Sequence, residues 1–410
     1  MDNLTVAPAQ HRALEFGIYR DGDNNLDAVQ ETALGQALQT SAADHHIEFT
    51  IQDTTALRLG HGDTVSSGPL HTNEYTIAGG RLRNVRTEAP HEMSDASNLA
   101  KFVAHTLDNA QRSGAKQTWI DLVDHGGGDG GGLQTSDGHV MSMPGIAKAI
   151  AEGVALHAKE HPEDAARGVD GVVANQCLMS TLGFADALSH AGVKYLAASP
   201  ETMVAPGAPS SIAHTIAADE GHPGTMARQV VGAVMSQRYG VDGQSWGPAA
   251  AFDVLDLDAA KLARVERSVK ALNDTVVHAA QNPDVRDAVR EDAKKVDGMV
   301  RFPGSKGLPW QADRPAMAFY DTLAGDTRLD PQIRARARDA SQSVGNMVLA
   351  HKESSAFGPF GGADYADAAG PTVHVPTSPK EIDPWAPAVS ETNNAFYHRT
   401  DEDALARITA

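Results

Sequence analysis

The 410-residue chain reads as an α/β protein, a mostly parallel sheet flanked by helices, with a helical extension toward its C-terminal end. Three observations predict this. Strand-like and helix-like segments alternate one for one over the first two-thirds, the pattern of a parallel sheet with helices on both faces. Two strand-like runs end in chemically distinctive residues, at the edge where such sheets line a ligand crevice. After Asp256 the alternation stops and long helical periodicities take over.

Each element follows from local pattern. Phe16 to Tyr19 is a short apolar strand, and Asp21-Gly-Asp-Asn-Asn25 is a turn cluster behind it. Leu26, Val29, Ala33, Ala37 and Leu38 recur at helical spacing, and Ile47 to Ile51 alternates as the next strand. A glycine-rich stretch from Gly60 to Arg86 reads as containing a hairpin. Ser94-Asp95 then caps a helix carrying Leu99, Phe102, Val103 and Leu107. Thr118 to Val123 is a strand, and Pro144 opens a helix that reaches Ala158. Val172 to Ala174 is a buried strand, Leu178 to Ala191 a helix and Tyr195 to Ala198 another strand. Beyond Asp256, Leu262, Val265, Val269, Leu272 and Val276 define a helix over Asp258 to Ala280. A second helical run covers Ile333 to Leu349, and the tail holds one β-like piece at Thr372 to Val375. No internal repeat is visible.

Bulk composition narrows the function classes. Hydrophobic residues at 41% and charged ones at 21% are ordinary for a globular chain with a sizeable core. A formal net charge of −19 with no basic run argues against nucleic acid as a partner. No apolar stretch is long enough for a membrane span, and residues 1–14 lack a signal-like apolar run. The default expectation is a cytoplasmic protein, with non-classical export left open. Composition sets no oligomeric state.

One cysteine excludes an intramolecular disulfide and leaves a free thiol, either a small buried hydrophobe or a reagent. Cys177 ends the run Gly168-Val-Asp-Gly-Val-Val-Ala-Asn-Gln-Cys177. His125 ends Gln117-Thr-Trp-Ile-Asp-Leu-Val-Asp-His125 and is followed by three glycines. A thiol and an imidazole delivered to the same sheet edge make a candidate nucleophile and base. A helix starting just after Cys177 is expected to lower the thiol's pKa. The backbone N–H of Gly126, free of side-chain obstruction, suits an oxyanion donor.

Rival readings use nearby residues. Gly243-Gln-Ser245-Trp-Gly247 matches the nucleophile-elbow pattern of a serine esterase, with His125-Gly-Gly-Gly128 as its oxyanion loop. The elbow needs a strand before the serine and a helix after it, and here the order is inverted. Asp21, Asp23, Asn25, Asp27 and Glu31 resemble the start of a calcium loop. Leu26 stands where its glycine belongs and Thr32 where its bidentate Glu belongs, so a capped turn is the better reading. No paired His/Cys spacing suggests zinc.

Taken together, the segments resemble the clostripain family of cysteine peptidases. Tyr19-Arg-Asp-Gly-Asp-Asn-Asn-Leu26, Glu92-Met-Ser-Asp-Ala-Ser-Asn-Leu-Ala-Lys-Phe102, Leu122-Val-Asp-His125-Gly126, Asn175-Gln-Cys177-Leu-Met179 and Ala198-Ser-Pro-Glu201 carry the likeness. Ala251-Phe-Asp-Val-Leu-Asp256, Phe319-Tyr-Asp321 and Gly370-Pro-Thr-Val-His-Val-Pro376 echo later landmarks. The resemblance implies a caspase-like fold, with residues 1–256 as catalytic domain and 257–410 as a mainly helical extension packed on it. It implies a His125–Cys177 dyad assisted by Gly126, with Asn175, Ser199 and Glu201 as substrate-binding residues and a protein or peptide as substrate. No cofactor is required, and calcium dependence is implied by the resemblance alone. It also implies self-cleavage between His125 and Cys177, where Lys148, Lys159 and Arg167 lie. Asn175 stands where the family carries an aspartate for a basic P1 side chain, Gly183 where it often has a glutamate, and Ala208-Pro-Ser-Ser211 where it has an aromatic segment. Losing that carboxylate removes the main attraction for Arg or Lys. A serine esterase using Ser245 and a catalytically inactive scaffold of the same fold are the alternatives.

Overall fold

The computed structural model describes residues 13–27, 32–57, 67–204, 206–218, 221–241, 244–299, 312–354, 368–378, 381 and 395–410. Val29, Glu31 and Gly243, used in the sequence reading, lie outside them. In chain order the elements are β1 (Leu14–Asp21), α1 (Thr32–Ala43), β2 (Ile47–Leu57), β3 (Ser67–Ala78), β4 (Arg81–Glu88), α2 (Ala96–Ser113) and β5 (Gln117–Val123). Next come β6 (Gly132–Gln134), β7 (Val140–Met141), α3 (Met143–Glu160), β8 (Gly171–Asn175), α4 (Leu182–His190) and β9 (Tyr195–Ala198). Then follow α5 (Ile212–Ala217), α6 (Pro223–Ser236), β10 (Tyr239–Val241), β11 (Gln244–Trp246) and β12 (Ala251–Asp256). The C-terminal part holds α7 (Ala259–Ala279), α8 (Pro283–Lys295), β13 (Asp313–Pro315), α9 (Ala316–Gly325), α10 (Pro331–Gly345), β14 (Val348–Glu353), β15 (Thr372–His374), α11 (Ala395–Arg399) and α12 (Glu402–Thr409).

Nine strands form the central sheet in the order β14-β12-β9-β8-β5-β1-β2-β3-β4. Its middle is parallel, with β1 paired to β2 and β5, β5 to β8, and β8 to β9. Antiparallel strands close both edges, β3 and β4 on one side and β12 and β14 on the other. The chain leaves β1 toward β2 and later returns to its other flank as β5. Sheets of this kind hold ligands at such a reversal, here at the carboxyl ends of β1 and β5.

Apolar stripes set the layers. Leu99, Phe102, Val103 and Leu107 of α2, Ile146 and Ile150 of α3, and Leu182 and Leu188 of α4 pack on one face of the sheet. Ala37 of α1, Ile212 and Ile216 of α5, and Val230 and Val234 of α6 cover the other. Expected caps are in place: the Asp95 side chain accepts from Ser97 N–H at 2.8 Å, and Ser142 accepts from Gly145 N–H at 3.2 Å with Pro144 in the first turn. Leu262, Val265, Val269, Leu272 and Val276 of α7 all join the α2–α4 core.

Two helix boundaries differ from the sequence reading by four residues each. The helix expected to run to Leu349 stops at Gly345, and β14 then pairs antiparallel with β12. A C-terminal segment thus supplies an edge strand of the central sheet. The helix expected from Leu178 begins only at Leu182, where the Thr181 hydroxyl caps it by accepting from Phe184 N–H at 3.0 Å. No helix among the described residues is long and apolar enough to cross a membrane.

Candidate active site

β5 and β8 lie side by side in parallel, with Val123 opposite Asn175. The chain just past each strand carries His125-Gly126 and Gln176-Cys177, so the pairing brings the two segments together. Their approach is close. A Cβ on Gly126 would lie 2.2 Å from the Cys177 carbonyl oxygen and 3.1 Å from its nitrogen, so only glycine fits there. Among the described residues neither the Gly126 nor the Cys177 N–H donates to a backbone acceptor, and the Cys177 N–H faces its own thiol. Gly127 N–H and Leu133 N–H instead hold the glycine loop, bonding to the oxygens of Gly131 and His125.

Four residues separate Cys177 from its helix, and they are shaped by distant partners. Leu178 takes φ +66°, a left-handed conformation costing a non-glycine residue about 1 kcal/mol. Leu178 N–H donates to Glu201 O and Ser180 N–H to Ser199 O, both at 3.0 Å. Ser199 and Glu201 are fully buried. The Ser199 hydroxyl donates to Glu201 O at 2.7 Å and accepts from Glu201 N–H at 3.1 Å, forming a turn against which the Cys177 segment rests. The thiol accepts from Met203 N–H at 3.3 Å.

Electrostatics depart from the expected helix-terminus thiolate. Burial pushes the Cys177 thiol up. The Met203 N–H opposes that rise, and the charges of Glu201 and Asp124 add to it. Burial pushes the His125 imidazole down. Near neutral pH the two therefore rest as thiol and neutral imidazole. His125 Nε2 lies 2.8 Å from Asn25 Oδ1; with Nε2–H donating, Nδ1 is the basic nitrogen.

The sequence reading gave Asn25 no part beside His125: it weighed Asp21-Gly-Asp-Asn-Asn25 as a calcium loop, preferred a capped turn, and counted the stretch among the segments of the family likeness. Asn24 Nδ2 donates to Asp124 Oδ1 at 2.6 Å and to Gln134 O at 2.9 Å, while Asn25 meets the next residue, His125. The available signal was position: this turn leaves the carboxyl end of β1, at the strand-order reversal. The Asp27 carboxylate accepts from the Thr55 hydroxyl, Ala56 N–H and Arg20, so it is already engaged. Burial pushes the Asp21 carboxyl up to about 7. A raised acid contributes stability that is complete below its unfolded value near 4 and is lost as pH rises through 7. Wild type is therefore expected to lose on the order of 2 kcal/mol more than Asp21→Asn between pH 5 and pH 8, read by urea unfolding of both proteins.

Asn175 is buried and its amide is spent within the protein: Oδ1 accepts from Ala208 N–H at 2.8 Å and Nδ2 donates to Ala208 O at 3.2 Å. The loop comes so near that a Cβ on Gly207, at φ +77°, would sit 1.8 Å from Asn175 Oδ1. Asp121, two residues back on β5 from the Val123 that faces Asn175, is pushed well above the usual carboxylate range by burial. Neither residue offers a fixed negative charge. Ser245 lies exposed on β11, in the two-stranded β10–β11 hairpin opposite Gly240, with no helix behind it. The strand–turn–helix geometry of a serine elbow is absent there. Lys148 and Lys159 lie within α3, and Arg167 donates from Nη1 to Ala115 O at 2.8 Å.

No protein-family model and no curated protein matches the chain. Solved structures do. A secreted C11 cysteine protease from Bacteroides thetaiotaomicron, "iotapain", superimposes with a TM-score of 0.64 at 13% identity, over 95% of this chain and 100% of that one. A structure of a secreted C11 cysteine protease from the same organism, in complex with an irreversible peptide inhibitor, gives 0.65 at 12% identity, over 96% and 99%. An inactive zymogen C11 protease from Parabacteroides distasonis gives 0.59 at 15% identity, over 95% and 99%. With its parallel middle, its antiparallel edges and its strand-order reversal at β1, the chain has the caspase-like fold of the C11, clostripain-family cysteine proteases.

Proposed function

We propose that the chain is a cysteine peptidase that cleaves peptide bonds through a thioester on Cys177. The observation that carries this reading is the seating of Gly126 on the Cys177 backbone at the sheet's carboxyl edge, with two N–H groups that no backbone carbonyl takes beside the only thiol. The likeness to a protease bound to a peptide inhibitor supports a peptide as ligand.

In this mechanism His125 Nδ1 takes the thiol proton as Sγ attacks the scissile carbonyl carbon. The negative oxygen forms between Gly126 N–H and Cys177 N–H. The imidazolium then protonates the leaving amine, the C–N bond breaks, and the thioester remains. His125 next removes a proton from water, whose oxygen displaces Sγ and releases the carboxylic acid, and the imidazolium returns its proton to Sγ. Met203 N–H holds the thiol in place until substrate arrives. Asn175, Ser199 and Glu201 act from beneath, fixing the 206–208 loop and the Cys177 turn. With no charged acid at Asn175 or Asp121, a preference for Arg or Lys at P1 is not expected.

The test is a peptide library incubated with the purified full chain, with and without calcium, before and after alkylation by iodoacetamide. Turnover that disappears in step with carbamidomethylation of Cys177 supports the reading; turnover that survives full alkylation overturns it. With a raised thiol pKa, alkylation of the free enzyme should keep accelerating through pH 9 and beyond, without a plateau near pH 7.

Asn25 is a positioning residue in this scheme. Asn25→Ala should lower kcat by about 10-fold to 100-fold, leave KM nearly unchanged and move the acid limb of kcat/KM. Asn25→Asp, which retains an acceptor for Nε2–H, should restore most of kcat and raise the pH of that limb. Equal losses in both variants with unshifted limbs would assign Asn25 to the turn alone.

A further inference from the structure

On the α2–α3 side of the molecule, two histidines and an aspartate converge on one point. His157 and His161, an i, i+4 pair that the sequence reading passed over when it found no zinc spacing, stand one helical turn apart, His157 in the last turn of α3 and His161 at its C-terminal cap, so they share a face. Asp108, from α2, places Oδ1 2.7 Å from His157 Nδ1 and 3.3 Å from His161 Nε2. One ligand atom from each of the three lies within 4.8 Å of the others. We propose that Asp108, His157 and His161 form a structural site for a zinc-class divalent ion that clips α2 to the end of α3.

Three features separate this cluster from an ordinary surface ion pair. His157 is 0% exposed, so its ring is held in the interior with Nδ1 turned to Asp108. Outer carboxylates back both rings: Asp164 Oδ2 lies 3.5 Å from His157 Nε2, and Glu163 Oε1 lies 3.5 Å from His161 Nδ1. Metal-ligating histidines show this arrangement, one nitrogen inward and the other oriented by a carboxylate. Spacing also agrees. Around a tetrahedral zinc ion, neighbouring N and O ligand atoms are roughly 3.3 Å apart. The Asp108–His161 separation already matches that, and the Asp108–His157 contact must open by about 0.6 Å.

Binding rearranges one proton. In the metal-free protein His157 Nδ1–H donates to Asp108. The ion takes the Nδ1 lone pair, and the ring's proton moves to Nε2, facing Asp164. Two imidazoles disfavour calcium or magnesium, which select oxygen donors, and favour Zn²⁺. His161 and Asp108 are partly exposed, leaving room for water as fourth ligand. The clip would also fasten the segment that carries Lys159 and Arg167.

The test uses the full chain with Cys177→Ala, so that the thiol cannot ligate. After chelator treatment and dialysis, the protein is titrated with Co²⁺. One equivalent should produce a saturable visible d–d band that Zn²⁺ discharges, and Zn²⁺ should raise Tm. His161→Ala, a partly exposed position whose truncation leaves the core intact, should weaken Co²⁺ binding at least tenfold and erase the Zn²⁺-dependent rise. His139→Ala, in the exposed Glu92–Asp137–His139 group, should change neither. No saturable band, an unchanged titration in His161→Ala, or loss of the band in His139→Ala would each overturn the proposal. None of these readouts depends on peptidase activity.

Discussion

Cys177→Ala should reduce kcat/KM on every cleaved peptide by about 10⁴-fold to 10⁶-fold, the loss typical of removing a covalent nucleophile. The protein should remain folded. Cys177 packs on Leu178 and Met299 and accepts one bond from Met203 N–H, so the exchange costs about 1 kcal/mol of stability. His125→Ala should fall by a similar factor. The double variant should be little worse than Cys177→Ala alone, because base and nucleophile act on one bond-forming step and their losses do not add. Independent, additive losses would mean that the two residues serve separate steps, and a fully active Cys177→Ala would end the thioester mechanism. Circular dichroism of each variant keeps loss of fold distinct from loss of chemistry.

Much of this architecture was legible locally. The apolar spacing of α7 and the caps at Asp95 and Ser142 are short-range signals, and the structure carries them almost to the residue. His125 and Cys177 were legible for a related reason: each ends an apolar run, and a parallel sheet presents run ends along one edge. The turn after Cys177 was not. Leu178-Met-Ser-Thr-Leu-Gly-Phe184 has helix-compatible composition, and what keeps its first half out of the helix is bonding to residues 199 and 201, beyond any local window. Thr181, a good N-cap residue, was the overlooked local sign. The same limit concealed β14, which exists because β12 presents an edge to it. Asn175 could be seen as a missing charge. Its engagement by Ala208 depends on a loop 33 residues away closing over it.

That distinction between run ends and long-range pins bears on the most destabilising substitution expected outside the dyad, Arg20→Met. Arg20 lies at the carboxyl end of β1 and is 5% exposed. Its Nε donates to Asp53 Oδ1 at 2.7 Å, its Nη1 to Asp27 O at 3.1 Å and its Nη2 to Asp27 Oδ1 at 3.2 Å. Removing the guanidinium leaves Asp53 and Asp27 buried without their cation, a loss of about 3–5 kcal/mol. Against a total stability of roughly 5–15 kcal/mol, that is a large share. Urea unfolding followed through buried Trp119 should show it as a lower midpoint at unchanged slope. Arg20→Lys keeps the charge but cannot span both partners with a planar fork, so it should fall between wild type and Arg20→Met. The effect should reach the site as well. Asp27 anchors the turn that carries Asn24 and Asn25, and those two hold Asp124 and His125. The folded fraction of Arg20→Met should therefore show a lower kcat. A variant as stable as wild type with unaltered kcat would mean that the turn is held by its backbone alone, and that Asn25 reaches His125 without help from the buried ion cluster.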